Sequence, residues 1–198
     1  MEPDLTIVTA CDADYFWGAF LLVASLRLTG ILSPIHVLEE GFSEAEKELL
    51  AQFGGLTILP LPAGNRRNLC TRKAEALLGA ESEWIAWLDS DCVSIGDLRP
   101  LLIPPNGAFQ IRIRSEAETN SIYRRYYEPE DKPGQIPKRI LNQWRDDVGD
   151  LKEPRFLGSC VTNVLVIHRR FRSFIERWNE QILKVIPPVR EGITRRSD

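Results

Sequence analysis

Two aspartates one residue apart, Asp89 and Asp91, follow directly on the apolar run WIAWL (Trp84 to Leu88). An uncompensated pair of this kind is costly, since like charges about 4 Å apart repel by roughly 4 kcal/mol at an effective dielectric of about 20. A divalent cation converts that repulsion into binding. Oxygen-only ligands suit Mg2+ or Mn2+, which take few carboxylates and complete their shells with water and phosphate oxygens, so a diphosphate is the natural third partner. The alternative is that Asp89, Ser90 and Asp91 merely solvate a strand-end turn, for which Asp and Ser are common residues. The triplet alone does not decide between the two.

The surrounding elements add weight. LTIVTA (Leu5 to Ala10) is short, apolar and β-branched, the pattern of a strand buried on both faces. Phe16 to Thr29 places Phe20, Leu21, Ala24 and Leu28 at a spacing near 3.6, with Gly30 as a stop, and predicts a helix packed on the sheet. PIHVL (Pro34 to Leu38) reads as a second strand. Ser43 with Glu46 forms a capping-box signature ahead of a second helix. Strand LTILP (Leu56 to Pro60), a basic loop around Asn65 to Asn68, a helix near Thr71 to Leu78 and strand WIAWL complete a β-α-β-α-β-α-β order. That alternation predicts a mainly parallel sheet with helices on both faces and right-handed crossovers. Ligands of such sheets bind beyond the carboxyl ends of the strands, which singles out Cys11 to Tyr15 and Asp89 to Cys92.

The second half is less regular. Phe109 to Ile113 and VTNVLVI (Val161 to Ile167) read as strands, and Phe171 to Val185 reads as a helix through Phe174, Ile175, Trp178 and Ile182. Between them, Arg114 to Pro154 is expected to be a long, partly mobile excursion with one short helix near Pro137 to Trp144. Between Arg112 and Arg145 the tyrosines (Tyr123, Tyr126, Tyr127), Trp144 and many cations offer an acceptor surface or an ordinary solvated excursion with aromatic anchors.

Bulk composition bounds the rest. At 198 residues, 43% hydrophobic and 27% charged, the chain can bury one sizeable core, and it is treated as one globular unit. A net charge of −3 argues against a protein that wraps nucleic acid by bulk electrostatics. Cys11, Cys70, Cys92 and Cys160 lie far apart, which supports neither a zinc ribbon nor a disulfide scaffold and fits a reducing compartment. No apolar run approaches the roughly 18 residues that cross a bilayer. The expectation is a cytoplasmic protein with no transmembrane segment, peripheral membrane contact being left open.

At this point the sequence resembles the GT-A glycosyltransferases, most closely the family-8-type retaining enzymes that include bacterial galactosyltransferases and glycogenin. The matching stretches are Leu5 to Gly30, IHVLEEGFSEAE (Ile35 to Glu46), LCTRKAEAL (Leu69 to Leu77) and WIAWLDSDCVSIGDLRPLL (Trp84 to Leu102), with VTNVLVIHRRF and its Asn163 as a later strand. The resemblance implies an α/β GT-A fold, Rossmann-like, as a single domain: residues 1–105 form a nucleotide-sugar half and 106–198 an acceptor half, expected to be shortened at its C-terminal end. It also implies transfer of a hexose from a UDP-sugar, with retention, to a carbohydrate or glycoconjugate acceptor, with Mn2+ or Mg2+ as cofactor. Ala10 and Asp12 look like the positions that bind uridine, and Tyr15 would stack on the base. Asp14 falls near a further nucleotide position but differs in type. Arg72 and Lys73 fall where relatives place a cation that reaches the phosphates or the sugar. Asp89, with Ser90 beside it, would contact ribose and metal, and Asp91 would bind the metal directly.

The resemblance names no catalytic nucleophile: Asp146, Asp147 and Glu153 lie where the match is poor. Relatives supply a late histidine as a further metal ligand, and this chain has only His36 and His168, both at strand positions that better fit structural roles. Two other readings stand beside the transferase. One is a nucleotide-sugar-binding pseudoenzyme module. The other is a sugar-nucleotidyltransferase, disfavoured because CDADY stands where a Gly-rich pyrophosphate loop is required.

Overall fold

The computed structural model describes residues 4–61, 69–104, 109–149 and 157–185. It divides into two compact units, one comprising residues 1–110 and 163–198 and the other 111–162. The sheet has six strands in the order β3-β2-β1-β4-β6-β5.

In the first unit, β1 (Leu5–Asp12) pairs in parallel with β2 (Ile35–Glu40) on one side and β4 (Trp84–Leu88) on the other. Beyond β2, β3 (Leu56–Pro60) continues the parallel set. The sheet is not parallel throughout: β6 (Cys160–His168) runs antiparallel to β4, with Leu88 opposite Val164 and Trp84 opposite His168. Every residue of β4 is buried, as is every residue of β1 before Asp12, which is why both read as continuous apolar runs.

Alternation along the strands sorts the two faces. Ile7 and Cys11 of β1 and Trp84, Ala86 and Leu88 of β4 join one core cluster with Phe16, Ala19, Leu22, Val23 and Leu26 of α1 (Phe16–Leu28). Ile85 and Trp87 therefore take the opposite face. The helical spacing through Leu21 and Leu28 located this helix but chose its outer side, for Leu21 is 53% and Leu28 87% exposed. α1 is apolar nearly all round, so its period cannot indicate which stripe is covered.

The capping box expected at Ser43 is formed, its hydroxyl accepting from Glu46 N while Glu46 returns to Ser43 N, and it opens α2 (Glu44–Ala51). A 3-10 turn, Leu69–Arg72, leads into α3 (Lys73–Leu78), and α4 (Arg99–Leu102) follows the loop after β4. The basic loop at Asn65 to Asn68 lies outside the described residues.

Strand β5 spans Gln110–Ile113. Among its described residues the second unit carries two helices where one was expected. α6 (Lys138–Val148) matches the expected segment and runs one turn longer, closing at Gly149 in the left-handed conformation. α5 (Glu116–Tyr123) was not anticipated, although Ser115 and Glu118 form a second capping box that the sequence displays. In the first unit, α7 (Arg172–Val185) packs against α3. No helix among the described residues is long and apolar enough to cross a membrane.

Candidate functional site

The parallel register of β1 and β4 sets the geometry. Val8 lies opposite Trp87, so Asp12, four residues on, and Asp89, two residues on, leave the sheet at the same carboxyl edge. Neither element need bend far. Asp12 ends β1 and accepts a hydrogen bond from Tyr15 N at 3.1 Å, which caps the short turn Ala13–Tyr15. Ala10 is buried, Asp12 half-buried, and Asp14 and Tyr15 are exposed, Tyr15 at 59%.

Asp89 is held at three points. Its backbone N–H donates to Asn163 O of β6 at 2.9 Å. Its Oδ1 accepts from Lys73 Nζ at 2.6 Å and from Trp87 Nε1 at 2.6 Å. Trp87 stands in β4 two residues before Asp89, which follows the strand directly, so both side chains reach the same face, and Lys73 meets them there from the first turn of α3. The ammonium also lies 5.2 Å from the centre of the Trp87 ring. Lys73 is 7% exposed, a charge that can be buried only because a carboxylate meets it.

Asp91 differs: its side chain is exposed and makes no hydrogen bond or ion pair with the described residues. The loop that carries it is pressed against α1. A Cβ on Gly18 would stand 2.8 Å from Ser90 O, so glycine at that position permits the approach. Farther along the loop, Ser94 N donates to Ser25 Oγ at 3.0 Å and Ser94 Oγ meets Thr29 Oγ1 at 3.0 Å. Burial pushes the Cys92 thiol up, and the charges of Asp89 and Asp91 add to it.

Of the residues read from sequence, the structure therefore gathers Asp89, Ser90, Asp91 and Lys73 at one edge, with Ala10, Asp12 and Tyr15 on the adjoining strand end. Arg72 is engaged elsewhere: it is 1% exposed and grips Glu75 with two hydrogen bonds, Nε to Oε2 at 3.1 Å and Nη2 to Oε1 at 3.0 Å. His168 lies at the other end of β4, opposite Trp84, where Nε2 meets Glu83 Oε1 at 3.1 Å and Nδ1 accepts from Arg170 N. His36 sits within β2, its buried Nδ1 without a partner among the described residues and its pKa lowered by burial. Sequence reasoning missed Trp87 and Gly18. Both left a signal, an indole two residues before an acid and a glycine inside a helix, where it costs about 1 kcal/mol against alanine.

Among the described residues no group of three His, Cys, Asp or Glu could hold a metal ion. The protein offers two carboxylates, Asp91 and the Asp89 oxygen that Lys73 and Trp87 leave uncommitted. Mg2+ is commonly bound through one or two carboxylates, with substrate phosphates and water supplying the rest. The donor set fits a cation of that habit.

In the second unit, Tyr127 is structural: its hydroxyl pairs with Asn120 Oδ1 at 2.9 Å and Gln135 O at 2.8 Å. Tyr126 and Trp144 are 42% and 46% exposed, with the Arg139 guanidinium 5.7 Å from the Tyr126 ring centre. Glu153 lies outside the described residues.

No protein-family model matches the chain, and no curated protein does. Solved structures do. The galactosyltransferase LgtC, solved with donor and acceptor sugar analogues, aligns at a TM-score of 0.55 and 18% identity over 91% of this chain. The chain has a glycosyltransferase fold of the GT-A type. The bifunctional glycosyltransferase WbbM aligns over 93% of the chain at a TM-score of 0.59 and 14% identity. The glycosyltransferase GlyE of Streptococcus pneumoniae aligns over 98% at 0.52 and 15%. This GT-A chain spans 66% of the LgtC chain, 38% of WbbM and 41% of GlyE.

Proposed function

We propose that the chain is a glycosyltransferase that binds a UDP-sugar at the edge formed by β1 and β4, and transfers its hexose with retention to a carbohydrate or glycoconjugate acceptor. The observation that carries the reading is Asp89, fixed by Lys73, Trp87 and Asn163 beside an exposed Asp91 that makes no ion pair with the described residues, level with the Asp12 turn. Two carboxylates at a strand end with only one of them compensated form a site that gains by taking up a cation.

In this reading Asp12 and the Ala10 backbone recognise the base edge, Tyr15 offers its exposed ring for stacking, and Ser90 and Asp89 face the ribose. Asp91 and the uncommitted oxygen of Asp89 hold Mg2+ or Mn2+. When bound, the cation supplies Lewis-acid stabilisation for charge developing on the departing diphosphate. The chain's own part is to position and compensate. Lys73 offsets the charge of Asp89 and orients it, the close contact of Gly18 with Ser90 fixes the height of the loop, and Asn163 locks the strand end. Arg72, committed to Glu75, shapes the start of α3 rather than reaching out.

Calorimetry of UDP with and without Mn2+, on the native chain and on Asp91→Ala, tests the site. Binding that requires metal and collapses in the variant is expected; equal affinity with and without metal would count against it. Incubation with UDP-glucose or UDP-galactose and Mn2+ then separates a transferase, which slowly hydrolyses its donor, from a module that only binds it.

A further inference from the structure

The unit formed by residues 111–162 contains a cavity of about 470 Å³, inside the range of small-molecule sites. One wall is a single face of α6: Lys138, Leu141, Asn142 and Arg145 stand at i, i+3, i+4 and i+7. The opposite wall is the turn from Glu130 to Ile136. Ile136 is 8% exposed and donates its N–H to Leu157 O at 2.9 Å, so Ile136, Leu157 and Leu141 give the cavity an apolar side.

The turn is built rather than loose. Asn120 Oδ1 accepts from Gly134 N at 2.8 Å, where Gly134 has φ +76°, and the Tyr127 hydroxyl ties the same amide oxygen to Gln135 O. Asp131 is turned toward the backbone, accepting from Glu128 N and Lys138 N at 3.0 Å each, bonds that hold its carboxyl below the usual range. The remaining charged groups of the lining are Lys132, Lys138, Arg145 and Glu130. The side chains of Lys132, Gln135 and Asn142 make no hydrogen bond or ion pair with the described residues.

An apolar side suits the C–H face of a sugar ring, two uncommitted amides suit its hydroxyls, and cations in excess suit an anionic substituent. We propose that this unit carries a binding site of its own for an anionic saccharide, a sugar ring bearing a phosphate or a carboxylate. The proposal shares no residue with the donor site argued above and stands without it.

Amide NMR of the full chain, titrated with glucose 6-phosphate, glucuronate, glucose and inorganic phosphate, tests the proposal. Saturable shifts confined to residues 130–145 are expected with one or both anionic sugars, and which of the two binds identifies the anion. Lys132→Glu with Lys138→Glu should weaken that binding at least tenfold and leave UDP affinity unchanged. Both lysines are exposed and an acid is favoured at a helix N-terminus, so the fold should survive. Asn142→Ala, which keeps every charge, should weaken it severalfold. Inorganic phosphate binding as tightly as the sugar phosphate, no shifts in this segment, or full affinity in the double variant would each overturn the proposal. Loss of UDP binding in Asp91→Ala has no bearing on it.

Discussion

The ammonium of Lys73 stands 2.6 Å from Oδ1 of Asp89, so the carboxylate placed to meet a cation already holds one. Replacement by methionine keeps the buried stem and removes the charge. A charge-assisted hydrogen bond contributes about 1.5–3 kcal/mol. Lys73→Met should therefore weaken UDP binding by about tenfold or more while tightening binding of Mn2+ alone, because a neighbouring positive charge is gone. Trp87→Phe, which removes the second donor to Oδ1 together with part of a buried ring, should cost about 1–3 kcal/mol of stability and disturb UDP binding less. Calorimetric titration of both ligands into each variant checks this, and unchanged UDP affinity in Lys73→Met would remove the lysine from the site.

The succession of strands along the first half of the chain was legible because short apolar runs advertise themselves: LTILP and WIAWL match β3 and β4 residue for residue, although only β4 is buried throughout. The pair of loops at the carboxyl edge followed from topology alone. What stayed hidden depended on partners distant in sequence. Nothing local tells that Lys73 turns to Asp89, 16 residues on, because only the packing of α3 decides which side chain faces the strand end; Arg72, by contrast, meets Glu75 three residues away. The antiparallel entry of β6 was hidden for a similar reason, because an apolar run carries no direction. The missed helix α5 is different in kind: its capping box stood in plain view inside a segment too charged to read as packed.

Gly18 supplies a test of loop height. A methyl there would meet the Ser90 carbonyl at 2.8 Å, backbone against backbone, so α1 or the aspartate loop must move. Gly18→Ala should lose about 1–3 kcal/mol, as overpacked sites do. It should also weaken UDP binding, because the displaced carbonyl lies between the two aspartates. Gly96→Ala is the matched control. A Cβ at Gly96 meets nothing within 4 Å, and the change should stay within about 0.5 kcal/mol. Urea denaturation and calorimetry on the two variants decide, and equal behaviour would dissolve the link between this contact and the site.

Arg72 and Glu75 separate a structural cation from a ligand-binding one. With the guanidinium 1% exposed and both of its hydrogen bonds among the described residues made to one carboxylate, Glu75→Gln leaves a buried charge undercompensated. A loss of about 1–3 kcal/mol is expected, with UDP affinity preserved within twofold. Arg72→Lys should lose a similar amount, since an ammonium cannot reproduce the two-pronged contact. A large fall in UDP affinity in Glu75→Gln, at a temperature where the variant is folded, would return Arg72 to the diphosphate.

Cys11, on β1 beside Asp12, gives the fold an alkaline limit. Burial pushes its thiol up to about 12 from 9.0, with the charges of Asp12, Glu39 and Glu46 adding to the rise, and the residue is 1% exposed. Between these values the folded chain keeps the proton and the unfolded chain releases it, so the unfolded state binds fewer protons and stability falls as pH rises. The contribution is fully present below pH 9 and declines by roughly 1.4 kcal/mol per pH unit above it. Urea unfolding from pH 8.5 to 10.5 should show a slope shallower by one proton in Cys11→Ala than in the native chain, because every other titrating group is common to both. The native thiol should likewise resist iodoacetamide at pH 8 until the protein unfolds. Identical slopes in the two proteins, or rapid alkylation of Cys11 itself in the folded chain, would mean that the β1 end opens to solvent and that Asp12 is not held as described.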